Sequence, residues 1–349
     1  MGRRVTLATI AEQLGVSRTT VSNAYNRPDQ LSGDLRDRIL ATAKELGYAG
    51  PDPMATVLRR GRAGAIGLVE KSLREALTDQ ASLMMLAGVA EACDEANVAL
   101  VLVPQRRDAS ARDDDATPAI DDVVRTALVD GIVAHCDALD DDRRELVLER
   151  GLPLVILDGR LDDDDASVGV DDEGGAATVA THLTSLGHRN FAVLAFSPRS
   201  DGFGAAVTDR RMAGYRGALA DAGLDPDAAP VVYGGHYSLD EARAAADALW
   251  SLEPRPTAVL AMSDVFAAGV IASATEAGLR VPDDVSVAGF DDAPIASFNA
   301  PAITTVRQPH AEKGATAVRL LLDGAPAGER ITLPVELVLR ASTAPPPAT

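Results

Sequence analysis

Cysteine is nearly absent from this 349-residue sequence, which holds only Cys93 and Cys136. They lie far apart and match no metal or redox spacing, so two reduced, buried thiols are expected. No apolar stretch approaches the ~18 residues that a membrane span needs. Met1, Gly2, Arg3 and Arg4 lead into an amphipathic pattern and not an apolar run, so no signal peptide is expected and the reading is a soluble, cytoplasmic protein. Catalytic sets are missing as well. The histidines form no HExxH pair, no Ser-His-Asp order stands in a nucleophile-elbow context, and there is no phosphate loop. His182 and His188 flank a helix end and the next strand, where satisfied structural roles are expected. Gly202 to Val207 begins like a dinucleotide fingerprint but lacks its final small residue and stands apart from the preceding strand, so a mobile loop is expected. The acidic runs Asp113–Asp115, Asp140–Asp142 and Asp162–Asp165 lack the glycine and closing glutamate of a calcium loop and read as solvated loops. No metal, no cofactor and no enzymatic activity are expected.

The length suggests two or three domains, and a hydrophobic content of 46% is ample for their cores. The net charge of −19 is unevenly spread: residues 1–62 carry 10 basic and 6 acidic groups, the remainder 23 and 46. A small basic head on a large acidic body fits a protein that meets nucleic acid at one end only.

The head reads as two short helices and a turn. Leu7, Ile10, Ala11 and Leu14 have the spacing of one buried helical face, Gly15 breaks the pattern, and Ser17 restarts it as an N-cap. In the second helix Val21, Ala24 and Tyr25 face inward. Arg18, Thr19, Ser22, Asn23 and Asn26 are left outside, a set of guanidinium, hydroxyls and amides suited to base edges and phosphates. A third helix is expected from about Ser32 to Leu46, with Leu35, Ile39, Leu40, Ala43 and Leu46 on its apolar face and Gly47 after its end. The arrangement is a helix-turn-helix; a three-helix bundle for protein contacts is the bland alternative. Pro51 and Pro53 then mark a linker, followed by Met54 to Arg60, too short for a stable isolated helix. Leu58 is its apolar wedge for a minor groove.

The run Val5-Thr6-Leu7, Ala11-Glu12, Gly15-Val16-Ser17, Thr20-Val21-Ser22, Asn26, Ser32, Arg36, Glu45-Leu46-Gly47-Tyr48, Pro51, Ala55 and Leu58 resembles the DNA-binding head of the LacI/GalR family of transcriptional regulators. The resemblance implies a recognition helix starting near Ser17, with Arg18, Thr19 and Asn23 where members read bases and Leu58 as the leucine that enters the central minor-groove step. The DNA-binding set expected on this basis is Thr6, Ser17, Arg18, Thr19, Thr20, Ser22, Asn23, Asn26, Ser32 and Leu58. Asn23 departs from the arginine or histidine of many members, and asparagine favours adenine where arginine favours guanine.

From Ala65 onward, short apolar runs alternate with helical patterns. Expected strands are Ala65–Val69, Ala99–Val103, Gly131–Ala134, Leu154–Leu157, Ser167–Val170, Phe191–Ala195, Val231–Tyr233, Ala258–Ala261 and Val285–Phe290. Helices are expected over Ser82–Ala96, Val123–Leu128, Gly174–Leu186, Ala213–Ala222, Leu239–Leu252 and Asp264–Ala277. That alternation predicts α/β architecture, as two doubly wound parallel-sheet units. Such sheets bind ligands at the carboxyl ends of their strands, where Asp158, Ser263, Asp264, Asp291 and Asp292 fall, with Arg211 ahead of a helix.

The body also resembles the family's sensor, itself similar to periplasmic sugar-binding proteins, in segments around His182–His188, Arg211–Tyr215, Pro282–Asp292 and Thr304–Pro309. Carried over by position, the effector-binding set is Asp158, Arg211, Tyr237, Ser263, Asp264 and Asp291. The segment Glu70–Thr78 departs from the family habit, which leaves the effector's identity open. The resemblance implies domains at 1–50 (head), 51–62 (hinge) and 63–341 (sensor), and a disordered tail at 342–349. The sensor divides into subdomains of about 64–169 plus 308–330 and 171–305 plus 331–341, with crossings near Val170, Val306 and Ile331. It further implies a homodimer on a pseudopalindromic double-stranded operator, most often as a repressor, switched by a small polar effector, a sugar first and a nucleoside second. The tail shows no leucine heptads for a tetramer. Against this stand a cytoplasmic solute-binding protein and a sugar- or nucleoside-processing α/β enzyme.

Overall fold

The computed structural model describes residues 5–50, 61–70, 72–104, 125–136, 138–160, 164–197, 204–234 and 238–348. Contacts divide the chain into a head, Met1–Ala63, and a body, Gly64–Thr349. The expected hinge at 51–62, Leu58 included, lies almost wholly outside the described residues, as does Tyr237.

Three helices build the head: α1 (Leu7–Leu14), α2 (Arg18–Asn26) and α3 (Gly33–Glu45). Thr6 and Thr9 cap the start of α1 reciprocally, each side chain accepting from the other's backbone N–H. Gly15, at φ 67°, ends α1 in the left-handed conformation that a glycine adopts without strain. Ser17 restarts the helix, its hydroxyl accepting the Thr20 N–H at 3.0 Å. Ser32 occupies the N-cap position of α3 but makes no side-chain capping bond. Ile10, Ala11, Val21, Ala24, Ile39 and Ala43 are the buried core, and Tyr25 meets Tyr48 edge-on at 5.9 Å.

The body's first leg is β1 (Ala65–Glu70), α4 (Leu73–Ala76), α5 (Gln80–Ala96), β2 (Ala99–Pro104), β3 (Ile132–His135), α6 (Asp141–Glu149), β4 (Leu154–Leu157) and β5 (Ala166–Val170). The second is α7 (Asp172–Ser185), β6 (Phe191–Ala195), α8 (Ala205–Asp221), β7 (Val231–Tyr233), α9 (Leu239–Ala246), β8 (Ala258–Ala261), α10 (Asp264–Glu276), β9 (Ser286–Ala288) and α11 (Pro294–Phe298). The chain closes with β10 (Thr305–Arg307), α12 (His310–Leu322), β11 (Arg330–Leu333) and β12 (Glu336–Val338).

Lobe 1 is a parallel sheet in the order β11-β5-β4-β3-β1-β2, and lobe 2 a parallel sheet in the order β7-β6-β8-β9. β10 and β12 pair antiparallel as a third, two-stranded sheet. Each larger sheet has a buried apolar core, and the small side chains of α7, α9 and α10 supply much of that of lobe 2. In lobe 1, α5 and α12 touch backbone to backbone. A Cβ on Gly88 would overlap the Ala311 carbonyl, and one on Gly314 the Met85 carbonyl, so both positions require glycine. That close approach sets the first turn of α12 against the middle of α5.

Several expectations need correction. Asp140–Asp142 is solvent-exposed as expected but is not a loop: Asp140 caps α6, accepting the Arg143 N–H at 2.9 Å, and Asp141 and Asp142 form its first turn. Asp165 is buried and paired with Arg144. Gly204 is the N-cap of α8, so Ala205 to Val207 open a helix instead of ending a loop. Of the helix expected over Val123–Leu128, only Arg125 and Thr126 are described as helical. The third crossing falls at Pro334 and Val335, not near Ile331, because β11 is the edge strand beside β5. The tail is pinned at its start: Ser342 is fully buried, its hydroxyl donating to Val287 O at 2.6 Å, and Ala344 donates to Ser286 Oγ at 3.0 Å. His188 bonds the Ala344 carbonyl at 2.8 Å and Thr257 at 3.0 Å, and His182 bonds Thr343 at 3.1 Å, so both histidines are structurally satisfied.

Candidate functional site

Two surfaces gather the polar residues singled out in the sequence. On the head, Arg18, Thr19, Ser22, Asn23 and Asn26 line one concave face with Leu7, Arg27 and Gln30. The Asn26 amide donates to Ser22 O at 2.9 Å and the Asn23 amide to Gln30 Oε1 at 3.3 Å, so neighbours hold both side chains in place. The remaining candidates sit off this face. Thr6 and Ser17 are caps, Thr20 Oγ1 lies 2.8 Å from Ser17 Oγ, and Ser32 heads α3. Arg27 and Gln30 were missed; Arg27 is one turn beyond Asn23, a spacing that the sequence displays.

The body's site lies between its lobes, at the switch points of both sheets. In lobe 1, Glu70 ends β1 and His135 ends β3, on either side of the place where strand order reverses. His135 Nδ1 lies 3.1 Å from both Glu70 carboxylate oxygens, and its Nε2 is 3.9 Å from Asp158 Oδ2. Lys313 of α12 pairs with Asp158 and donates to Gln308 Oε1 at 2.9 Å. Gln308 in turn donates to Asp291 Oδ1 at 2.7 Å, and Asp291 lies 3.6 Å from an Arg211 nitrogen. Arg211 donates to Asp172 at 2.9 Å and to the Met262 carbonyl at the end of β8, and its guanidinium stacks 3.7 Å over Phe290. Arg210 reaches back across the cleft to the carbonyl of Asp158 at 3.2 Å. A continuous relay of charged and polar groups thus joins the lobes.

The relay shifts its members' protonation. Burial works against a charged His135, yet Cys136 and Glu70 beside it hold the ring well above the ordinary histidine value. Burial would raise Asp158, but Lys313 and His135 hold it below the carboxylate range. Asp291 is pushed up to about 7, by burial and by Asp79, against the pull of Arg211 and Lys313. His310, whose Nε2 is 3.1 Å from the Asp291 carbonyl, is driven down to about 3 by burial and by Lys313. Three of these positions also carry positive φ: Cys136 at 52°, Asp158 at 59° and Asp291 at 114°. Such backbone costs about 1–3 kcal/mol each and concentrates where function holds it.

The cleft encloses about 490 Å³, its open mouth included, and Asp158, Arg211 and Asp291 line it with Asp79, His135, Gln308, His310 and Lys313. Ser263 and Asp264 do not. Ser263 is the N-cap of α10, accepting the Phe266 N–H at 3.2 Å, and Asp264 accepts from Ala293 N at 2.8 Å and Thr305 Oγ1 at 2.5 Å. Both are fully buried; Asp264 fixes the loop that carries Asp291 and does not face the cleft. Two lining carboxylates keep a buried oxygen with no hydrogen-bond partner, Asp79 Oδ1 and Asp158 Oδ1.

Residues 6–50 match bacterial regulatory proteins of the lacI family, and residues 180–343 match the periplasmic binding protein-like domain. The chain is 40% identical to the HTH-type transcriptional regulator Rv3575c of Mycobacterium tuberculosis, over 99% of this chain and 98% of that one. The chain belongs to the LacI family. Among solved structures, this LacI-family regulator is similar to the lac repressor dimer bound to operator and the anti-inducer ONPF, with a TM-score of 0.81 at 28% identity over 98% of this chain and 100% of that one. It is also similar to the transcriptional regulator CelR in complex with cellobiose, with a TM-score of 0.70 at 28% identity over 97% and 100%. The regulator is thus a DNA-binding transcriptional regulator of helix-turn-helix type and not an enzyme. Among the described residues, no helix is long and apolar enough to cross a membrane.

Sequence reasoning overlooked Asp79, His135, Gln308, His310 and Lys313 in the regulator's cleft, and Glu70 behind His135. Glu70 and His135 end strands, as Asp158 does, and were open to the same argument. Lys313 left a subtler trace, a lysine on the apolar face of an amphipathic helix between Ala311 and Ala315.

Proposed function

We propose that this LacI-family regulator is a repressor. It binds a pseudopalindromic operator as a homodimer and is switched by a small hydroxylated effector between its two lobes. The observation that carries the effector reading is the pair of buried acceptors without a hydrogen-bond partner, Asp79 Oδ1 and Asp158 Oδ1, on two residues that line a cleft already threaded by a charge relay. An unpaired buried oxygen costs about 1–3 kcal/mol, more for a charged group, and a hydroxyl placed against each removes that cost. Asp158, Arg211 and Asp291 are the contacts within the described residues. Because the relay runs through both lobes, a ligand bonded to both sides selects one lobe orientation. The cellobiose in CelR and the operator-bound dimer of the lac repressor support this reading by analogy.

At the other end, Arg18, Thr19, Ser22, Asn23 and Asn26 enter the major groove. Thr6, Ser17, Thr20 and Ser32 sit at helix starts, where backbone N–H groups favour phosphates. Leu58, in a hinge at 51–62, wedges the minor groove. Two-fold symmetry of the protein sets two half-sites. Selection of bound duplexes from a random pool is expected to return a pseudopalindrome, and saturating sugar is expected to release it in a gel shift. Recovery of a single asymmetric site, or release by no sugar or nucleoside, would sink the proposal.

A further inference from the structure

We propose that Asp79 is a specificity-determining residue of this cleft. Its unpartnered oxygen takes a hydrogen-bond donor of the effector, a hydroxyl or an ammonium, and its charge turns phosphorylated effectors away. The inference rests on the effector reading above and narrows it. Asp79 is the N-cap of α5: Oδ2 accepts the Ser82 N–H at 2.7 Å, which fixes the side chain and leaves Oδ1 outside the cap. The residue is only 6% exposed, and Oδ1 has no partner. A carboxylate kept only as a cap has no need of a buried second oxygen, since a serine or an asparagine caps as well.

The surroundings determine what can occupy that position. Each basic group around the cleft is already engaged: Lys313 with Asp158 and Gln308, Arg211 with Asp172, Asp291 and the Met262 carbonyl, His135 with Glu70. What remains unmet is acceptor capacity, on Asp79 and Asp158, beside a third carboxylate, Asp291. An anionic ligand would meet repulsion and find its cations taken. A ligand rich in O–H or N–H satisfies both orphaned oxygens. Asp79 belongs to lobe 1 and Asp291 to lobe 2, and next to Asp79 the Gln80 side chain already accepts the Ile295 N–H of lobe 2 at 3.0 Å. A donor held between the two carboxylates therefore draws the lobes together at a point where they already meet.

The test has two arms, both on the full-length chain. The first needs no effector. Asp291 is faced by Arg211 from α8, Asp79 from the start of α5, His310 and Lys313 from α12, Asp264 from α10 and Asp292 from its own loop. Its folded-state value is raised, so the stability it contributes is present at acid pH and lost as pH rises through about 7. Asp79→Asn retains a capping side chain and removes one negative neighbour. Between pH 6 and pH 8 the melting temperature of the variant is expected to fall less than that of the parent, and Asp79→Ser, a second capping variant, is expected to behave alike. Equal falls in parent and both variants would overturn the placement of Asp79 against Asp291.

The second arm measures thermal shifts with glucose, glucosamine and glucose 6-phosphate, with ribose and ribose 5-phosphate, and with cellobiose. The proposal expects any stabilising sugar to lose about tenfold or more in affinity in Asp79→Asn, and expects each phosphate ester to stabilise less than its parent. Preference for glucosamine over glucose identifies the donor as an ammonium, and the reverse identifies a hydroxyl. A phosphate ester that binds better than its parent overturns the proposal. If no sugar shifts the parent, the effector reading fails, and the effector-free arm still decides where Asp79 stands.

Discussion

In the head, the polar side chains of α2 stand at a surface and lean on neighbours three to seven residues away, as Asn26 does on Ser22 and Asn23 on Gln30. In the cleft, buried charges meet across the fold: Glu70 and His135 are 65 residues apart, and Arg211 and Asp172 are 39 apart. The head spends little stability on its function, since removing an exposed contact leaves nothing uncompensated. The cleft stakes the body's stability on its function, since each charge there is tolerable only while its partner remains.

Arg211→Ala breaks the comparison at its strongest point. It leaves Asp172 and Asp291 buried without their shared cation, an expected loss of about 3–5 kcal/mol by denaturant titration, together with loss of effector response. Arg18→Ala, on the head's exposed face, is expected to leave that titration unchanged while weakening operator binding by about 1–3 kcal/mol; a quantitative gel shift reads the difference. A comparable loss of folding stability in both variants would erase the distinction. Ser17→Ala removes the cap of α2 and is expected to cost the head about 1 kcal/mol, visible in amide exchange of the α2 residues with the body unaffected. Smallest of all is Arg216→Ala in the body. Its ion pair with Asp227 is 2.7 Å long but lies at the surface, so a change of about 0–0.5 kcal/mol is expected, fading with added salt. A large effect there would mean that charge, and not burial, separates the two regions.

The same contrast explains what could be read in advance. The head's caps, turn and reading face follow from residues within one or two helical turns of each other, so Gly15, Ser17 and the α2 face were legible. Apolar runs revealed nine strands of the body, but β10, β11 and β12 escaped, being short crossing or edge strands without such runs. Asp158 and Asp291 were placed at the cleft because open α/β sheets bind at strand ends, whereas Arg211, expected ahead of a helix, lies within α8. Ser263 and Asp264 satisfied the same rule, yet they turn inward to cap α10 and hold Ala293 and Thr305. Lys313 pairs with a residue 155 positions earlier, and the packing of α12 on β4, which no local pattern displays, brings the two together.

The interleaving of the lobes has a consequence for synthesis. The head's core is complete once Tyr48 has been made, whereas the lobe 1 sheet lacks an edge until β11, and β9 lacks its clasp until Ala344. At ~5–20 residues per second, a nascent chain carries a finished reading head, with its sensor still incomplete, for on the order of fifteen seconds to a minute. If the proposed homodimer is what reads the operator, a lone unfinished chain in that interval offers only one of the two heads.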